Sequence, residues 1–209
     1  MTTPHPPRRA LVVIDVQNEY VTGKLRIEHP PVSQSLVQIG RAMDAARAAG
    51  IPVVVVQHSE AADALLFATG SDSWALHEVV ASRPRDHLIE KHWPSVFTDT
   101  GFAQWLAQRG IDTLSIAGYM THNCNASTVF EATHRGFAVE LLSDASGALP
   151  YANAAGRASA EEIHRVFSVV FHSRFAAVTG TGDWIGAVQA GRAIARDNIP
   201  ASNARALAG

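Results

Sequence analysis

The chain has 209 residues, 47% of them hydrophobic and 17% charged, with a formal net charge of −2. A chain of that size buries roughly 70% of its unfolded surface in one core, and this composition excludes disorder and a basic nucleic-acid-binding surface. The one cysteine, Cys124, excludes an internal disulfide, and the longest apolar runs, such as Val53–Val56, are far too short to span a bilayer.

The N-terminal residues 1–9 are proline-rich, lack the apolar stretch of a signal peptide and read as a flexible arm; residues 10–209 read as one domain. The expectation is a cytoplasmic protein without membrane or nucleic-acid partners. Ala10–Ile14 is a continuous apolar run, a first strand, and Asp15 follows it directly. An irregular stretch with Gly23, Pro30 and Pro31 leads to a helix over Ser33–Ala49, whose apolar positions include Leu36, Ile39, Met43 and Ala46 and which Gly50 stops. Val53–Val56 is β-branched throughout, as strands buried on both faces are. His87–Glu90 is a shorter strand candidate, followed by a helix from Phe102 to Gln108. Thr113–Ala117 reads as a strand, Asn125–His134 as a helix, Phe137–Leu142 as a strand, and Ala154–Arg165 as a helix. A short strand at Ser168–Phe171 and an amphipathic helix from Asp183 to Arg196 complete the pattern.

Strands that alternate with helices predict βαβ units, a mostly parallel sheet of about six strands, and helices on both faces. In such α/β folds the ligand site lies beyond the carboxyl ends of the strands. Three chemically distinct residues meet that rule. Asp15 follows the first strand, Lys91 follows the third, and Cys124 comes a few residues after the fourth, at the start of a helix. Taken singly, each has a commonplace reading: a turn cap, a solvated ammonium, a small buried thiol. Their shared sheet edge argues for chemistry. Only two of the 17 basic residues are lysines, and one of those is Lys91. A thiol at a helix N-terminus faces unpaired N–H groups and the positive end of the macrodipole, which predicts a lowered pKa and a nucleophilic thiolate. Asp15 is placed to exchange protons with that thiol and with a leaving amine.

Leu11–Asn18 (LVVIDVQN), Glu90–Phe97 (EKHWPSVF) and Thr113–Cys124 (TLSIAGYMTHNC) resemble, in order, the motifs of the isochorismatase-like cysteine hydrolase superfamily, to which nicotinamidases and N-carbamoylsarcosine amidases belong. The resemblance covers roughly residues 9–180. It implies a three-layer α/β/α, Rossmann-like sandwich with a six-stranded sheet, a catalytic triad of Asp15, Lys91 and Cys124, a small-molecule substrate and a homo-oligomer. It also implies a non-proline cis peptide at Met120–Thr121 and an oxyanion hole built from the backbone N–H groups of Thr121 and Cys124. Gln17, His58, Trp93 and His122 are the candidate substrate-binding residues. Trp74 is a candidate lid residue, and Phe97 lies close enough to Lys91 to line the pocket. Nicotinamidases carry an Asp-x-His after the second strand. Here His58 stands at the histidine position, but Val56 occupies that of the acid and cannot ligate, so no metal and no cofactor are expected. The implied activity is hydrolysis of a C–N bond, amide or carbamoyl, through an acyl-thioester on Cys124. The alternatives are a vinyl-ether hydrolase of the isochorismatase type and a non-catalytic module that uses Cys124 as a redox sensor.

Overall fold

The computed structural model describes residues 6–208, so part of the expected N-terminal arm lies outside the described residues. In chain order the elements are β1 (Arg9–Ile14), a 3-10 turn (Asn18–Tyr20), α1 (Val32–Ala48), β2 (Val53–His58), α2 (Glu78–Ala81), β3 (His87–Lys91), α3 (Phe102–Gln108), β4 (Thr113–Tyr119) and α4 (Cys124–His134). They continue with β5 (Ala138–Gly147), β6 (Tyr151–Asn153), β7 (Gly156–Ala158), α5 (Ala160–Val170), a π-helical turn (Phe171–Phe175), β8 (Ala177–Thr179), α6 (Thr181–Gln189) and α7 (Ile199–Ala208). Six strands form one sheet in the order β3-β2-β1-β4-β5-β8, while β6 and β7 form a separate hairpin. Every pairing in the large sheet is parallel.

Strand alternation sorts the side chains into two layers. On one face Leu11, Val13, Val53, Val55, Ala117 and Leu142 pack against Ile39 and Met43 of α1 and Trp184 of α6. On the other face Val12, Ile14, Val54, Val56, Leu114 and Ile116 pack against Phe102 and Leu106 of α3 and Val129 of α4. The central strands are therefore apolar at consecutive positions, and the short runs are legible as strands without a polar alternation.

The structure departs from the sequence-based expectation at both ends of the chain. Arg9 is not part of an arm: it opens β1 and is buried. The helix expected from Ala154 starts only at Ala160, because residues 151–158 form the β6–β7 hairpin and Gly156 takes a φ of +140° that other residues rarely adopt. Ser168–Phe171 is not a strand. Ser159 and Glu162 form a reciprocal capping box that starts α5, and Ile163, Phe167 and Phe171 then fall on one helical face at spacings of four. Val169 and Val170, 63% and 43% exposed, lie off that face, and they produce the strand-like apolar run. The sixth strand is instead Ala177–Thr179. The last amphipathic helix of the sequence reading ends at Gln189, and Trp184 and Ala187 on it are fully buried in the core.

A buried ion pair ties the first strand to the fifth. The Arg9 guanidinium donates to both carboxylate oxygens of Glu140, from Nη2 to Oε1 at 2.8 Å and from Nε to Oε2 at 3.0 Å. Ser115 Oγ and Trp184 Nε1 donate to Glu140 Oε2 at 2.7 Å and 3.0 Å. Glu140→Ala leaves the guanidinium buried without its counter-charge, a loss of about 3–5 kcal/mol. Urea unfolding is the check, and Arg9→Met combined with Glu140→Leu should regain most of the loss, because an apolar pair leaves no orphaned charge.

Candidate active site

The strand order places the site. The chain winds outward from β1 through β2 to β3, then returns to add β4 on the other side of β1. Crevices form at such a reversal, beyond the carboxyl ends of the strands. Asp15 follows β1, Lys91 ends β3 and Cys124 begins α4 just beyond β4. β1 and β4 approach closely because Gly118 has no side chain: a Cβ there would lie 2.1 Å from the Ile14 carbonyl oxygen. Asp15 itself takes a left-handed φ of +51°. A non-glycine residue there costs on the order of 1 kcal/mol or more and is kept where the surroundings over-determine it.

Folding unites the three expected catalytic side chains. Lys91 Nζ lies 2.7 Å from Asp15 Oδ2 and donates to Cys124 Sγ at 3.3 Å. It also lies 3.3 Å from His58 Nδ1. Asp15, Lys91 and Cys124 are 0%, 1% and 5% exposed. An ammonium has no lone pair, so Nδ1 of His58 accepts and the imidazole carries its proton on Nε2. That proton points at Glu60 Oε1, 2.9 Å away.

The electrostatics reverse one expectation. Burial pushes the Cys124 thiol well above the ordinary thiol range, and the neighbouring Asp15 carboxylate pushes it further; the Lys91 charge opposes both without winning. The helix terminus therefore does not deliver a resting thiolate. The thiol stays protonated beside a carboxylate, so sulfur attack must be coupled to proton transfer. Burial alone would lower the Lys91 pKa, but the charges of Asp15 and Cys124 outweigh it and the ammonium is held. Burial and the Lys91 charge together lower His58, which stays neutral. In Lys91→Arg a planar, forked guanidinium must occupy a fully buried niche between a carboxylate, a thiol and an imidazole. The expected result is a fall in kcat of roughly 100-fold, on the scale of a misplaced catalytic group, with expression and fold retained; steady-state kinetics measure it.

The other expected site residues divide. Gln17 is fully buried and spans backbone groups: its Nε2 donates to the carbonyls of His58 and Trp74 at 2.9 Å and 2.7 Å, and its Oε1 accepts from the His58 N–H at 2.9 Å. It fixes the loop after β2 and has no free group for substrate. Trp93 is 55% exposed and does not line the cavity above Cys124; its neighbour Pro94 does. Phe97 packs in the core. Trp74 is pinned by an indole N–H to Ser59 Oγ at 2.8 Å. His122 packs edge-on against Tyr151, with ring centroids 5.0 Å apart, and so sits one layer behind the cavity wall.

The non-proline cis peptide is Tyr119–Met120, one residue before the expected position. Thr121 is fully buried, and its N–H donates to the Gly147 carbonyl at 2.8 Å, so it is spent on structure. The N–H groups of Met120 and Cys124 make no protein hydrogen bond among the described residues, and both residues line the cavity.

Thr121 Oγ1 lies 2.9 Å from Nδ1 of His164, whose ring stands 5.6 Å from that of His29. Burial, helped by the charges of His29 and His122, pushes His164 down to about 4, and burial alone pushes His122 to about 4. Both are neutral in the fold, whereas an unfolded histidine titrates near 6.5. Unfolding therefore takes up protons between about pH 6.5 and 4, so their contribution is full above pH 6.5 and is lost as pH falls towards 4. The urea midpoint is expected to fall over that window, and His164→Gln should flatten part of the slope.

The cavity has a volume of about 450 Å³. Its wall includes Tyr20, Phe67, Tyr151, Leu65, Leu66 and Met120, together with Cys124, His58, Glu60 and Asn123. The sequence reading missed Tyr20, Phe67 and Tyr151. Tyr20 lies on the 3-10 turn after β1, Phe67 on the loop after β2 and Tyr151 at the start of β6, and only the run Leu65–Phe67, too short for an element, hints at a wall. Among the described residues no group of three or more His, Cys, Asp or Glu side chains is arranged to hold a metal ion. Both nitrogens of His58, the residue nearest a family ligand position, are already engaged. The donor set does not fit a catalytic metal.

The isochorismatase domain model matches residues 9–182. The chain belongs to the isochorismatase domain family. A crystal structure from Burkholderia xenovorans LB400 that carries the isochorismatase name superposes on this family member with a TM-score of 0.96 at 64% identity, covering 97% of this chain and 98% of that one. The secreted isochorismatase effector Isc1 of Verticillium dahliae is 33% identical over 137 residues, 66% of this chain and 71% of that protein. The ureidoacrylate amidohydrolase RutB of Methylobacterium radiotolerans is 29% identical over 174 residues, 68% of this chain and 67% of that protein. This isochorismatase-family hydrolase has the six-stranded, all-parallel α/β/α sheet that the motifs imply. No helix among its described residues is long and apolar enough to cross a membrane.

Proposed function

We propose that this hydrolase cleaves a C–N bond, amide or carbamoyl, in a small molecule through an acyl-thioester on Cys124. The observation that carries the reading is a thiol on the wall of a cavity, buried with a carboxylate and an ammonium 2.7 Å apart. As Sγ bonds to the carbonyl carbon, its proton passes to Asp15. The oxygen takes the negative charge and is received by the N–H groups of Met120 and Cys124. Protonated Asp15 then gives that proton to the nitrogen, the C–N bond breaks and the amine departs. Asp15, a carboxylate again, takes a proton from water as the water oxygen attacks the thioester carbon; the C–S bond breaks, the acid leaves and Cys124 regains its proton. Lys91, 2.7 Å from Asp15 Oδ2, holds that oxygen in place between the transfers.

The thiol itself counts against the redox reading, since sensor cysteines are low-pKa and solvent-accessible, whereas Cys124 is raised and 5% exposed. Vinyl-ether hydrolysis needs an acid but no thiol nucleophile. Rapid acid quench during turnover of a panel of small amides, carbamates and ureas, followed by intact-mass analysis, distinguishes these chemistries. An acyl increment on the single cysteine supports the thioester, and turnover with no adduct, even in a variant slowed in hydrolysis of the thioester, opposes it.

A further inference from the structure

The cavity above Cys124 is charged on one side only. Among its lining residues Glu60 is the single aspartate, glutamate, lysine or arginine. Deeper in the site, Lys91 and Asp15 form an ion pair whose two charges largely cancel at a distance. His58 between the two levels is neutral. The carboxylate of Glu60 is held rather than free to swing away. Its Oε1 accepts the Nε2 proton of His58 at 2.9 Å. Its backbone is tied on both sides, with N–H donated to the Phe67 carbonyl at 3.0 Å and its carbonyl accepting from Thr69 N–H at 3.2 Å and Thr69 Oγ1 at 2.7 Å. The Glu60 side chain is 46% exposed. The Lys24 ammonium, bonded to the Leu65 carbonyl at 3.1 Å, is on an exposed residue at the outer side of the same loop, where water and salt screen it.

We propose that Glu60 determines substrate charge: the pocket takes an amide with an apolar or aromatic body whose distal group is neutral or cationic, and it discriminates against carboxylates. The substrate class rests on the C–N hydrolysis reading; the charge preference of the cavity does not. Tyr20, Phe67 and Tyr151 supply aromatic walls that suit a flat or cationic group. An anion in the same place meets a fixed carboxylate with no basic side chain in the lining to offset it. A unit charge several ångströms from that carboxylate, at an effective dielectric between protein surface and water, is discriminated by a factor on the order of ten.

The test uses the whole protein and its one cysteine. Two methanethiosulfonates of similar size, one ending in a trimethylammonium and one in a sulfonate, modify Cys124: the sulfur attacks the sulfenyl sulfur, a disulfide forms and methanesulfinate leaves. Rates are followed by intact mass for the wild type, Glu60→Gln and Glu60→Lys. The cation-to-anion rate ratio is expected to fall on the order of tenfold in Glu60→Gln and further in Glu60→Lys. If Glu60 only steadies His58 and Lys91, both reagents slow or quicken by the same factor, the ratio stays put and the proposal is overturned. A matched set of cationic, neutral and anionic aryl amides gives the parallel kcat/KM ratios. Should none of these amides turn over while the thiosulfonate ratio shifts, C–N hydrolysis fails and the charge selection by Glu60 stands.

Discussion

Cys124→Ala is expected to lower turnover of any amide substrate by roughly 10⁴-fold or more, the scale seen when an activated nucleophile is removed. The side chain is small and 5% exposed, so the variant should fold with a stability within about 1–2 kcal/mol of the wild type. Cys124→Ser is the sharper comparison. A serine hydroxyl is a far weaker acid than a thiol, and here even the thiol is held protonated by burial and by Asp15. The serine variant should therefore retain little activity although its shape is nearly unchanged. Turnover of Cys124→Ala at the wild-type rate, measured on protein whose circular dichroism and mass are verified, removes the nucleophile from the mechanism.

Asp15→Asn should act on two quantities at once. The amide cannot take the thiol proton, and kcat is expected to fall roughly 10³-fold, within the range of a lost general base. It also strips the counter-charge from Lys91, whose side chain is fully buried and 2.7 Å from the carboxylate. Breaking a buried pair from one side costs about 3–5 kcal/mol. The two losses separate in a second variant. Asp15→Asn combined with Lys91→Met removes both charges, so its unfolding midpoint should return towards the wild type while kcat stays low. Recovery of activity together with stability would show that Asp15 acts by holding the fold alone.

The legible parts of the fold are those with a short-range cause. Val53–Val56 is apolar throughout, and Leu114, Ile116 and Ala117 of the next central strand are apolar, because both faces of the central strands are covered. Phe102–Gln108 has the boundaries expected, although its N-cap is Gly101 and no side chain caps it. The illegible parts are those in which two local patterns compete. Ser168–Phe171 is β-branched like a strand, yet the capping box at Ser159 and the inward spacing of Ile163, Phe167 and Phe171 place it in a helix and the π turn after it.

Read alone, the sequence determined the class of fold and the chemistry that meets at its edge. Strand and helix periods are local properties, and a residue that directly follows a strand in a parallel sheet has its edge of the molecule assigned by connectivity. Asp15, Lys91 and Cys124 were legible for that reason. Tertiary structure decided what each group does there. Gln17 and Thr121 became scaffold because their polar atoms found backbone partners remote in the chain. The aromatic wall of Tyr20, Phe67 and Tyr151 arose from three segments far apart in the chain. The Cys124 thiol is raised rather than lowered, since its charge state depends on burial and on a carboxylate 109 positions earlier in the chain. Through-space fields and desolvation depend on distances that no sequence pattern encodes, and they set the proton inventory from which the reaction starts.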